Sequence, residues 1–109
     1  RAEQEVSRVE SPIDPEVIQR RVADAQPAFE TCLQQEMRRN PSFRAGRTEL
    51  VLTVMPSGVV RQAGLSDRAL DDSNIGRCIS LAARRIMLPS FGGEEPVEIV
   101  LPLVLTPSR

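Results

Sequence analysis

Cys32 and Cys78 are the residues of this chain best placed to react with one another, and no third cysteine competes for either. Each lies in a segment whose apolar residues recur at helical spacing. If those two helices pack side by side, one disulfide can join them, and the chain would belong in an oxidising compartment. Two buried free thiols, behaving as small hydrophobes, are the alternative. Metal binding is the weaker reading. With no histidine and only two thiols, a closed zinc site would have to recruit carboxylates.

Other groups with chemical potential are few. The absence of histidine and tyrosine removes the commonest general base and a phenolic acid. Ser57-Gly58 has turn chemistry and no base in view. Asp71-Asp72 precedes a helical pattern, where adjacent carboxylates act as caps and dipole partners. Gly92-Gly93 lacks the spaced glycines and lysine of a phosphate loop. Arg38-Arg39 and Arg84-Arg85 could hold an anionic glycan or lipid headgroup, although solvated helix faces are the plainer reading. The expectation is a binding protein, with no catalytic residue, cofactor or metal.

A chain of 109 residues supports one domain with a modest core. A net charge of −1 argues against an electrostatic nucleic-acid binder, and three aromatic residues leave little for base stacking. All 14 basic residues are arginine. The chain opens on Arg1 rather than methionine, so we expect a piece of a longer protein. No apolar run approaches the roughly 20 residues of a membrane span, so any anchor or targeting segment is expected outside this piece.

The elements that must position these residues follow from periodicity. Residues 1–11 are polar and charged and read as a tether, and residues 12–109 as a single domain. Asp14-Pro15-Glu16 is a helix start, followed by Ile18, Val22, Ala25, Phe29, Cys32, Leu33 and Met37 along one helical face. Pro27 should kink or break that helix near residues 23–26. Arg47–Met55 alternates as a strand, Pro56-Ser57-Gly58 turns, and Val59–Ser66 returns as the second arm of a hairpin. Ile75, Cys78, Ile79, Ala82 and Ile86 mark a second helix, and Val97–Leu105 a last strand, apolar on both faces.

The order α-β-β-α-β makes the chain α+β. Strand one fills the gap between strands two and three, giving a sheet of order 2-1-3 with two helices on one face. The expected core centres on Ile18, Val22, Phe29, Leu33, Leu50, Leu52, Val54, Ile79, Ala82 and Ile86. The last strand would then lie at an edge. Its residues Val97, Ile99, Val100, Leu101, Pro102, Leu103, Val104 and Leu105 form the candidate partner-binding surface, because an edge strand can accept an extended peptide. Pro102 has no N–H, so its side of the strand should face away from strand one. It could equally serve to blunt an exposed edge against aggregation, and the two roles are compatible.

The string Phe29-Glu30-x-Cys32-Leu33, then Arg39-Asn40-Pro41 and Gly46, resembles the first half of the TonB-like C-terminal domain in its AgmX/PglI form. The second half matches in order through Pro56-Ser57-Gly58-Val59-Val60, Cys78-Ile79, Leu88-Pro89, Gly92-Gly93 and Leu101-Pro102-Leu103, so the resemblance covers about residues 12–105. Where the family carries aromatics this chain has aliphatics, at Leu33, Ile86, Leu101, Leu103 and Leu105. The resemblance implies a periplasmic domain of an inner-membrane-anchored protein in an envelope-spanning machine, with gliding motility as the first expectation. It implies a proton-driven inner-membrane motor acting through the parent protein, and an outer-membrane or periplasmic partner. An energy transducer for nutrient uptake and a static structural module of an envelope complex are the alternatives. Neither nucleic acid nor direct membrane contact is expected.

Overall fold

Local signals start the first helix where Asp14-Pro15-Glu16 lies. In the computed structural model, which describes residues 12–44 and 46–105, Asp14 Oδ1 accepts from the Glu16 N–H at 2.9 Å. The expected tether over residues 1–11 lies outside the described residues. Helix α1 covers Pro15–Asp24, and α2 covers Gln26–Arg39. Between them Ala25 closes one helix and opens the next: its N–H donates to Val22 O, and its carbonyl accepts from Ala28 and Phe29. Pro27 has no N–H to give and falls in the first turn of α2, where none is required.

Strands β1 (Gly46–Val54) and β2 (Val60–Leu65) form the hairpin. The turn is closed by Gly58 N–H on Met55 O at 2.7 Å. Gly58 has φ +93°, and a Cβ there would collide with the Leu88 carbonyl, so both backbone conformation and space select glycine. The second helical region is also divided. Asp67 caps a one-turn helix α3 (Arg68–Asp71) by accepting from Leu70 N–H, and Ser73 caps α4 (Asn74–Ala83) by accepting from Gly76 N–H. β3 (Val97–Leu105) ends the described chain.

The molecule is α+β, with one antiparallel sheet of order β2-β1-β3 and β1 bonded to both neighbours. Among the described residues the five-element order read from periodicity becomes seven elements, α-α-β-β-α-α-β. Proline splits the first helix, and two successive caps split the second.

One apolar cluster joins Ile18, Phe29, Cys32 and Leu33 of the first two helices, Ile75, Ile79 and Ala83 of α4, and the inward side chains of the strands. Val22 and Ala82, expected at its centre, are half-buried at its margin. Thr48 is buried, and its Oγ1 has no hydrogen-bond partner among the described residues. An unsatisfied buried hydroxyl is unfavourable, so Thr48→Val should stabilise the fold by about 1 kcal/mol. The check is a higher urea midpoint at unchanged slope. A lower midpoint would mean that the hydroxyl is bonded in solution.

Candidate functional site

The two cysteines meet because α2 packs beside α4. Cys32 and Cys78 are joined as a disulfide, with Cα atoms 5.7 Å apart across 46 residues of sequence. Cys32 is buried and Cys78 half-buried, so the bond lies at the seam between the helices.

Among the described residues β3 is an edge strand, paired only with β1. The direction of its backbone follows from the register. Glu49 accepts from Ser66 N–H at 2.9 Å, which turns its main chain toward β2. Pro102 is the residue of β3 opposite Glu49, with Val100 opposite Val51 and Val104 opposite Arg47. Antiparallel pairs alternate between bonded and non-bonded, so all three are non-bonded pairs. The main chain of Val100, Pro102 and Val104 therefore faces outward, along with that of Glu98, which lies opposite Thr53. Pro102 places its missing N–H on the free edge, where no bond to β1 is lost.

The eight residues expected at the partner surface divide by face. Ile99, Leu101, Leu103 and Leu105 are buried, and their side chains belong to the core. Val97 is half-buried and packs against that core. Val100, Pro102 and Val104 lie on the sheet face away from it, and Val104 is 60% exposed. Together with Val51 they form an apolar strip flanked by exposed Arg47, Glu49 and Glu98.

The opposite edge of the sheet is guarded. Asp71 Oδ1 accepts from Leu65 N–H at 2.9 Å, and Val59 makes an isolated bridge to Met87 at the other end of the hairpin arm. Asp71 thus braces β2, a use that a cap-like Asp-Asp pair does not announce. The signal in the sequence is Gly64, which lets the carboxylate approach: a Cβ there would sit 3.2 Å from Asp71 Oδ1. Asp72 is exposed, and its carbonyl accepts from the Arg77 guanidinium at 2.8 Å. The surface recesses are open, and the one beside Pro102, of about 400 Å³, is lined by Arg47, Thr48, Glu49, Ser66 and Asp67. Among the described residues no group of acidic or cysteine side chains is arranged to hold a metal ion, and no helix is long and apolar enough to cross a membrane.

Comparison of the chain with protein-family models, with curated proteins and with solved structures finds no match.

Proposed function

We propose that this chain is a non-catalytic docking domain, TonB-like in character, that serves an envelope-spanning machine from the periplasm. In this reading the machine drives gliding motility, its motor acts through the inner-membrane-anchored parent protein, and β3 takes up an extended segment of a periplasmic or outer-membrane protein. The observation that carries the docking role is a nine-residue edge strand whose outward main chain has no neighbour among the described residues, while the other edge is braced. The disulfide between α2 and α4 suits an oxidising compartment. The resemblance in the ordered motifs from Phe29 to Leu103 supplies the envelope setting.

Strand addition is tested on the protein's own edge. Val100→Pro and Val104→Pro each delete an outward N–H that is not bonded to β1, so each should weaken binding of an extended partner segment about fivefold and leave the fold intact. Backbone N-methylation of the segment should weaken binding at alternate positions only. Chemical-shift mapping supplies the readout. Shifts confined to the outer faces of α2 and α4, with residues 97–105 unperturbed, would exclude β3 as the docking edge.

A further inference from the structure

The disulfide has two unlike ends. Cys32, on α2, is 3% exposed and lies inside the apolar cluster with Phe29 and Leu33 of the same helix. Cys78, on α4, is half-buried and packs against that cluster from its margin. Its chain neighbours are exposed Arg77 and fully buried Ile79, so Cys78 sits where the helix passes from its wet face to its core face. Thiol–disulfide exchange is a displacement at sulfur, in which the attacking thiolate enters in line with the bond that breaks. Attack at Sγ of Cys78 comes from the side away from Cys32, at the margin of the seam. Attack at Sγ of Cys32 would have to come from the side away from Cys78, through the side chains of the cluster.

We infer that Cys78 is the exchange sulfur of this chain, the site where an incoming disulfide is covalently attached, and that Cys32 is the resolving thiol. When the bond forms, the Cys78 thiolate displaces one sulfur of the incoming disulfide, leaving a mixed disulfide on Cys78 and one thiolate of the oxidant. Cys32 then loses its proton, its sulfur attacks Sγ of Cys78, and the second sulfur of the oxidant leaves as a thiolate. The two protons lost by the cysteines end on the two sulfurs of the oxidant, which is reduced to thiols as the pair is oxidised. Proximity favours this closure, because α2 and α4 already hold the two residues side by side. In the reverse direction an external thiolate attacks Cys78 and expels Cys32 as a thiolate into apolar surroundings, an unfavourable place for charge. That thiolate stands beside the mixed disulfide just made and attacks it again. A monothiol therefore opens the bond only transiently while the chain stays folded.

The test follows the reduced full chain in native buffer as it reacts with oxidised glutathione. Samples are quenched in acid and digested with trypsin, and the peptides bearing Cys32 and Cys78 are weighed. The early glutathione adduct should lie on Cys78 over Cys32 by at least about tenfold, and the preference should vanish in concentrated urea. Cys32→Ala should retain the Cys78 adduct instead of passing it on. Cys78→Ala should take up glutathione about tenfold more slowly in native buffer than in urea. An early adduct on Cys32, or equal loading of the two cysteines of the unmutated chain in native buffer, would overturn the assignment.

Discussion

Reducing the bond between Cys32 and Cys78 should lower the melting temperature by roughly 15 °C. The bond closes a loop of 46 residues that spans the whole hairpin and joins the two halves of the helical layer. In the chain-entropy account, releasing such a loop frees the unfolded chain by about 4 kcal/mol. That is a large share of the 5–15 kcal/mol that holds a typical domain folded. Reduction leaves the helix seam packed, because Cys32 stays within the core cluster as a small apolar side chain. The loss should therefore appear in the stability of the chain more than in its native structure. Calorimetry with and without a thiol reductant makes the comparison, and a Cys32→Ala/Cys78→Ala variant should reproduce the reduced value. A shift below a few degrees would mean that the cross-link constrains little beyond what packing already holds.

Phe29→Ala should destabilise the fold by about 3–5 kcal/mol. Phe29 is the one aromatic side chain that is fully buried, at 2% exposure, whereas Phe43 and Phe91 lie half-buried at the margin. It emerges from the first turn of α2, just after the break at Ala25, and meets the cluster shared by helices and sheet. Truncation removes the whole ring from a site whose neighbours are fixed by two secondary-structure layers, so little collapse can offset the cavity. Urea unfolding gives the measurement. A loss under 1 kcal/mol would show that the helix surface rearranges to fill the space. The Phe29→Leu variant should recover more than half of the loss, because it restores most of the apolar volume.

Legibility in the sequence followed the range of the physical signal. Alternation in Arg47–Met55 and Val97–Leu105, and the turn at Pro56-Ser57-Gly58, located the strands to within a residue or so and set their order. The helical spacing around both cysteines brought them close enough to join. Pro27 located the break, since a missing N–H acts locally. The division into α3 and α4 was less visible, because Asp67, Asp71, Asp72 and Ser73 are all capable caps and only the three-dimensional path selects among them. The candidate edge was half legible. Its eight residues were recognisable as an apolar strand, yet which side chains remain accessible depends on which face the helices cover. Thr48 gave no sign of its unbonded hydroxyl, for threonine is a common strand residue, and its burial depends on neighbours distant in sequence.

The brace that Asp71 places on Leu65 has a consequence for stoichiometry. A sheet with two bare margins can be lengthened from either side, and each added strand exposes a fresh margin for the next. Here one margin is closed at its two ends by Asp71 and Met87, so growth has a single direction. A strand added at β3 would become the last strand of a four-stranded sheet, and because a domain leaves only this margin open, copies of the domain cannot chain to one another through two margins. Removing the brace with Asp71→Ala would open the second margin. The chain would then have a route from a terminating complex to an open-ended stack, visible as turbidity that rises steeply with protein concentration.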